Sequence, residues 1–131
     1  VPFRHVFFDD YRDIVGCYHA LDLYLMTSRE EGGPKAVLES MASGVPLVAT
    51  RTGMAEDVVE DGVNAYLAPV DNVETIVARA QSLLSDGAPD FTTRGRITAE
   101  AYDWSIVSEV LYDTVYRELL ALPGAACAIL T

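Results

Sequence analysis

The stretch Ser28–Thr50 reads SREEGGPKAVLESMASGVPLVAT and combines a glycine-rich loop, a helical segment and an apolar run. Apolar residues recur at helical spacing over Lys35–Ser43, and Gly44 follows where a helix C-cap needs a glycine. Val45–Thr50 has the length and apolar character of a strand that is buried on both faces. Loop, helix and buried strand in this order predict one unit of an α/β fold.

The same alternation continues on both sides of this stretch. Upstream we predict strands at Val6–Phe8 and Leu21–Thr27, the second buried on both faces, with a helix between them capped by Asp10 or Asp13. Downstream we predict a helix at Ala55–Glu60, a strand at Ala65–Ala68, a helix opened by a capping box of Asp71 and Glu74, and helices at Phe91–Tyr102 and Ser105–Leu122. The pattern predicts a Rossmann-like parallel sheet with helices on both faces, over residues 1–122, and a tail at 123–131.

Composition narrows the functional classes. The 131 residues are 50% hydrophobic and carry a net charge of −11. This charge argues against nucleic acid as a partner, because phosphate contacts need clustered Lys and Arg. The two cysteines, Cys17 and Cys127, and the two histidines lack metal-ligand spacing, so we predict no metal site and reduced thiols, with a disulfide as the lesser alternative. No apolar run approaches the roughly 20 residues of a membrane span.

The loop before the central helix is suited to an anion. Gly32 and Gly33 let the backbone come close to a ligand, and Pro34 fits the first helical turn, where its missing N–H costs nothing. The free N–H groups and the helix dipole at Lys35 favour negative charge. Such loops are common, so a plain strand-to-helix connection is the alternative interpretation.

Glu39 lies about one helical turn beyond Lys35, with the small residues Ala36, Ala42 and Ser43 around it on the same face. A carboxylate in this setting can accept hydrogen bonds from vicinal hydroxyls, such as those of a ribose. The alternative is a surface glutamate paired with Lys35. The residues alone leave these two interpretations nearly equal.

Taken together, these features resemble the donor site of the GT-B glycosyltransferases, specifically the large retaining family 4, glycosyl transferases group 1. Glu31 and Glu39 match the E-x7-E pair of that family. Further matches lie at Asp22, Glu56, Glu60-Asp61-Gly62 and Tyr102-Asp103-Trp104-Ser105. The chain departs from the family where Gly53-Met54 replaces a usual Gly-Gly, which leaves a tight backbone approach at that turn in question.

The resemblance implies a partial C-terminal, donor-binding domain and a role for each matching residue. Glu31 is expected to be catalytic and to contact hydroxyls of the transferred sugar, and Glu39 to hold the ribose. Gly32, Gly33, Pro34, Lys35 and Ala36 are expected to line the diphosphate site. The implied partner is a nucleotide-diphosphate sugar, and no metal or other cofactor is expected.

The resemblance also implies parts that this chain does not contain. The family needs an N-terminal acceptor domain and the first strands of the donor domain, so we expect little transfer activity from the 131 residues alone. The expected location is cytoplasmic, and peripheral membrane association of the full protein stays open. Alternatives are a nucleotide-sugar epimerase or a phosphorylase on the same fold, and a non-catalytic module that keeps it.

Overall fold

A computed structural model describes residues 2–33 and 35–121. It therefore leaves undescribed Pro34 with its expected role at the helix start, Cys127 and the expected tail at 123–131. The described strands are β1 (Tyr24–Met26), β2 (Leu47–Thr50) and β3 (Tyr66–Ala68). The helices are α1 (Ile14–His19), α2 (Lys35–Ala42), α3 (Ala55–Val58), α4 (Val73–Leu83), α5 (Thr92–Ala101), α6 (Trp104–Leu111) and α7 (Arg117–Ala121), with a 3-10 turn at Tyr11–Asp13 and a π-helical turn at Tyr112–Tyr116.

The strands form one parallel sheet in the order β1-β2-β3. Leu25 pairs with Val48 and Met26 with Ala49, and on the other side Ala49 pairs with Leu67. The carboxyl ends of the strands lie at one edge of the sheet because all three strands are parallel. Loops that follow β1 and β2 therefore meet at that edge, where ligands of such sheets bind.

Helices cover both faces of the sheet, as the sequence predicts. Leu47 and Ala49 of β2 pack in one core cluster with residues of α2 and α3. Val48, between them, packs in a second cluster with Leu83 of α4 and with Phe91. Alternate residues of one strand thus enter different cores, which explains why all four residues of β2 are buried.

The central elements agree with the sequence predictions to within one or two residues. Gly44 follows α2 with a φ of 71°, the left-handed conformation that favours glycine after a helix. The strand predicted at Leu21–Thr27 is shorter, and Leu25 within it is 44% exposed, so β1 is not buried on both faces. Its outer edge has no partner strand among the described residues.

Two further sequence predictions are wrong. Val6–Phe8 forms no strand, and Phe7 is exposed, so this segment neither joins the sheet nor packs in the core. The capping box of Asp71 and Glu74 is also absent. Asp71 has a φ of 61°, and Asn72 is the N-cap of α4, where its side-chain oxygen accepts a hydrogen bond from Thr75 N at 2.9 Å.

The chain divides into two compact units between Ala99 and Glu100. The first unit contains the sheet. The second contains α6, the π-helical turn and α7, where the sequence predicts a single helix. Asp103 caps α6 by accepting a hydrogen bond from Ser105 N at 2.8 Å. In the described part of the chain, no helix combines the length and the apolar character that crossing a bilayer requires.

Candidate functional site

A cleft of about 420 Å³ opens at the carboxyl end of β1, and we call it the β1 cleft. Its floor is formed by the strand itself and by the residues that follow it. Four of the predicted site residues line it, namely Glu31, Gly33, Lys35 and Ala36. The loop after the strand and the first turn of α2 thus converge on one space, as a ligand site of this fold requires.

The end of β2 fixes the loop that carries Glu31. The buried Thr50 hydroxyl donates to the carbonyl oxygen of Ser28 at 2.6 Å. Met54 N donates to the carbonyl oxygen of Gly32 at 3.2 Å. Ser28 in turn donates its hydroxyl to Glu31 Oε1 at 2.8 Å. The Glu31 carboxylate is therefore exposed but oriented, with acceptor capacity left for a ligand hydroxyl.

Gly53 makes this arrangement sterically feasible. Its φ is 51°, and a Cβ added there would lie 2.1 Å from the carbonyl oxygen of Glu31 and 2.9 Å from that of Gly32. The turn after β2 therefore touches the backbone of the Glu31 loop. A tight approach exists at this turn although Met54 stands at the second glycine position of the family pattern.

Glu39 lies on α2 but does not line the β1 cleft. Its carboxylate is held by two tyrosines from the segment that precedes β1. The Tyr18 hydroxyl donates to Oε2 at 3.0 Å, and the Tyr11 hydroxyl donates to Oε1. Among the described residues, no ion pair joins Glu39 to Lys35, so the interpretation of Glu39 as a surface partner of Lys35 is wrong.

The tyrosines keep their protons at neutral pH. Burial raises the pKa of Tyr18 well above its usual range, and the hydrogen bond to Glu39 raises it further. The hydrogen bond to Glu39 likewise raises the pKa of Tyr11. Both hydroxyls are therefore donors, and Glu39 is the acceptor. Glu39 therefore presents a carboxylate that accepts hydrogen bonds from hydroxyl groups on both of its oxygens.

Tyr24 connects the two parts of the site. Burial raises the pKa of its phenol, and the negative charges of Glu39 and Glu31 raise it further. Tyr24 also lines the β1 cleft. Both carboxylates thus lie close enough to Tyr24, at the head of β1, to influence its pKa.

The sequence identified the carboxylates but missed the residues that hold them. Tyr18 and Tyr11 precede Glu39 by 21 and 28 residues, and no local spacing signals these contacts. Thr50 and Gly53 did carry a signal, because both follow a buried strand at the edge of the sheet where ligands bind. Gly32 faces Met54 rather than the cleft, and Pro34 lies outside the described residues.

Known proteins with similar sequences are glycosyltransferases. The D-inositol 3-phosphate glycosyltransferase of Saccharomonospora viridis is 32% identical over 112 residues, which cover 84% of this chain and 26% of that protein. The chain thus spans about a quarter of the length of the curated relatives it matches.

Solved structures show the same fold. The C-terminal domain of the group 1 glycosyl transferase LpcC from Francisella tularensis superimposes with a TM-score of 0.68 at 27% identity, covering 75% of this chain and 51% of that one. HepE of Anabaena, solved in complex with UDP-glucose, gives a TM-score of 0.70 at 23% identity, covering 77% and 29%.

The family model for glycosyl transferases group 1 matches residues 3–104. This range includes the whole β1 cleft, Glu39 and the tyrosines that hold it. The match agrees with the parallel sheet and its covering helices, the fold that the solved C-terminal domain of this family also shows. The chain therefore belongs to the glycosyl transferases group 1 family.

Proposed function

We propose that this chain is the donor-binding part of a retaining, family 4 glycosyltransferase that takes a sugar from a nucleotide-diphosphate sugar and transfers it to a hydroxyl acceptor. One observation carries the proposal: a cleft at the carboxyl end of β1 joins a carboxylate, a lysine and the start of α2, and a second carboxylate beside it accepts two hydroxyls. The names of the relatives support a transferase over the epimerase and phosphorylase alternatives.

Each of these residues binds a different part of the donor. Lys35 and the amide groups at the start of α2 stabilise the diphosphate, since a helix N-terminus and a cation both favour negative charge. Glu31 accepts hydrogen bonds from hydroxyls of the sugar, while Ser28 fixes its orientation. Glu39 accepts the ribose hydroxyls. The UDP-glucose bound by HepE supports a donor of this class, and the identity of the base and of the sugar stays open.

The transfer itself needs few groups from the protein. The bond between the anomeric carbon and the diphosphate oxygen breaks, and a bond to the acceptor oxygen forms on the same face of the sugar. The acceptor proton passes to the departing phosphate. Stabilising the developing charge on that phosphate is the main catalytic task, and Lys35 with the α2 terminus performs it here without a metal.

Parts outside this chain complete the enzyme in our proposal. The acceptor is bound mainly by an N-terminal domain, and further basic residues face the diphosphate. The full protein acts in the cytoplasm, and association with a membrane surface would bring it to a lipid acceptor. We expect the purified 131-residue chain to show little or no transfer, so detectable sugar transfer by it would refute this division of labour.

The test is a panel of nucleotide-sugars with the full-length protein. We expect one donor to bind, and Glu39→Ala to weaken that binding about tenfold or more through loss of charged hydrogen bonds. Glu31→Gln is expected mainly to lower turnover. Glu74→Gln, a carboxylate on α4 outside the β1 cleft, is the matched control and should change neither. Unchanged donor affinity in Glu39→Ala would contradict the ribose contact of Glu39. Full activity in Glu31→Gln would contradict the role of Glu31 in turnover.

A further inference from the structure

The two hydroxyls on Glu39 come from very different surroundings. Tyr18 lies on α1 and is only 6% exposed, and its ring packs edge-on against Tyr24 with the centroids 5.8 Å apart. Tyr11 lies in the 3-10 turn and is 64% exposed. One hydroxyl is thus part of the core, while the other reaches Glu39 from a surface turn.

The difference in burial separates their roles. Moving Tyr18 away from Glu39 would disturb core packing and leave a buried hydroxyl without its partner, which is costly. Moving Tyr11 away costs only an exposed hydrogen bond, because water replaces the lost contact. Oε2 is therefore permanently held, and Oε1 is the oxygen that can exchange its partner.

The acceptor capacity of Glu39 fits a vicinal diol. An ionised carboxylate offers about four lone-pair sites on two oxygens. Tyr18 takes one of those on Oε2. With Tyr11 in place, its hydroxyl donates to Oε1, so both oxygens of Glu39 already have a partner. With Tyr11 displaced, two hydroxyls of a ribose can each donate to one oxygen while Tyr18 stays bound.

We propose that Tyr18 is a positioning residue that fixes the Glu39 carboxylate for the donor ribose, and that the Tyr11 hydroxyl is a stand-in which the ribose displaces. This inference rests on the proposed function, because it assigns the ribose to Glu39. It adds a fixed tyrosine and an exchangeable tyrosine to the donor site, with opposite effects on donor affinity.

The test compares Tyr18→Phe and Tyr11→Phe in the full-length protein by calorimetry. The probes are the nucleotide among UDP, GDP, ADP and CDP that binds the unaltered protein most tightly, and the 2′-deoxy form of that nucleotide. Tyr18→Phe should weaken nucleotide binding about tenfold and bring the affinities for the ribose and deoxyribose forms close together. Tyr11→Phe should tighten binding about twofold to fivefold and keep the preference for ribose.

The control is Tyr66→Phe, which removes the hydroxyl of a half-buried tyrosine on β3 whose ring packs against Phe91 at 5.0 Å. It should leave affinity and ribose preference unchanged. Tyr18→Phe with unaltered affinity and preference would overturn the positioning role, and weaker or unchanged binding in Tyr11→Phe would overturn the stand-in role. If the unaltered protein binds none of the four nucleotides, or if Glu39→Ala keeps full affinity, the proposed function itself fails.

Discussion

Gly53 shows at the scale of one residue how the loop that carries Glu31 is held in place. The left-handed backbone there is one demand for glycine, and the Glu31 carbonyl 2.1 Å from the missing Cβ is a second and stronger one. Gly87 has a similar φ of 80° but open space where its Cβ would lie. Substituting each of the two glycines therefore distinguishes the cost of backbone strain from the cost of a steric clash.

We expect Gly87→Ala to lower the free energy of unfolding by about 1–2 kcal/mol through backbone strain alone. Gly53→Ala should lower it by about 1–3 kcal/mol more, because the new methyl pushes the Glu31 loop away from the turn. Urea denaturation of both variants measures the difference. Equal decreases in the free energy of unfolding would show that the Glu31 loop moves aside at no cost and that the close approach does not affect stability.

The Asp61 carboxylate accepts hydrogen bonds from three different residues. Arg79 and Arg51 donate to it, as does Leu67 N at 3.0 Å. Burial tends to raise the pKa of Asp61, but the hydrogen bonds from Arg79 and from Leu67 N and the charges of both arginines outweigh burial and lower the pKa below its usual 3.8. The ionised form is thus favoured by folding.

Because the folded-state pKa is lower than the unfolded one, the contribution of Asp61 is fully present at neutral pH. It is lost only below the unfolded-state pKa of about 4, as the pH falls through the lower folded-state pKa. We expect Asp61→Asn to cost about 1–2 kcal/mol at pH 7 and to flatten the loss of stability below pH 4. Denaturation midpoints measured from pH 7 to pH 3 test both points.

The control for this experiment is Asp71→Asn, which removes the partner of Arg29. Both side chains of that pair are mostly exposed, at 62% and 77%. Solvent screening should keep the effect within about 0.5 kcal/mol at any pH, and asparagine tolerates the positive φ at this position. An equal loss in both variants would mean that the Asp61 cluster contributes no more than a surface ion pair.

At the scale of elements, α4 has an N-cap that differs from the sequence prediction. Two acidic residues at capping-box spacing favoured Asp71, yet Asn72 accepts the bond from Thr75 N. A cap needs a particular backbone conformation as well as a suitable side chain. The positive φ of Asp71 is set by the turn after β3, which the spacing of side chains does not reveal.

We expect Asn72→Ala to lower the free energy of unfolding by about 1 kcal/mol, because an N-terminal amide of α4 loses its acceptor. Glu74→Ala should change it by no more than about 0.5 kcal/mol, since Glu74 makes no capping bond. Thermal and urea unfolding of the two variants decide between the caps. A larger decrease in the free energy of unfolding for Glu74→Ala than for Asn72→Ala would support the capping box instead.

The sequence predicted the elements whose signals are local. Helix α2 and strand β2 follow from helical spacing, from Gly44 and from a continuous apolar run. The predictions failed where the outcome depends on distant neighbours: Val6–Phe8 does not join the sheet, and Leu25 lacks a cover. The motif singles out Glu31 and Glu39 as candidates, and their roles stay predictions. The contacts of the tyrosines with Glu39 depend on tertiary packing that no spacing encodes.

At the scale of the whole chain, the sheet has an open side at β1. Within residues 2–33 and 35–121, this strand pairs only with β2, and Leu25 on it is 44% exposed. An unpaired strand edge with an exposed apolar residue is a template for pairing with another molecule. The net charge of −11 opposes such contact but acts over the whole surface.

We expect the isolated 131-residue chain to self-associate as its concentration rises, and Leu25→Lys to suppress this association. Val77→Lys is the matched control, because Val77 on α4 is 46% exposed and the charge change is the same. A helix offers no unpaired backbone edge, so Val77→Lys should have little effect. Sedimentation velocity over a concentration series measures the self-association of each variant. Equal suppression by both variants would exclude the strand edge as the contact.

The contact between Gly53 and the Glu31 loop has a consequence for exchanging this loop between related proteins. If this loop alone were exchanged between related proteins, it would lack the matching turn after β2 that contacts its backbone. Thr50 and Gly53 fix the carbonyls of Ser28 and Glu31 from outside the loop. The smallest transplantable unit is therefore discontinuous in sequence, comprising Ser28–Gly33 together with Thr50–Met54, and chimeras should be cut at those four boundaries.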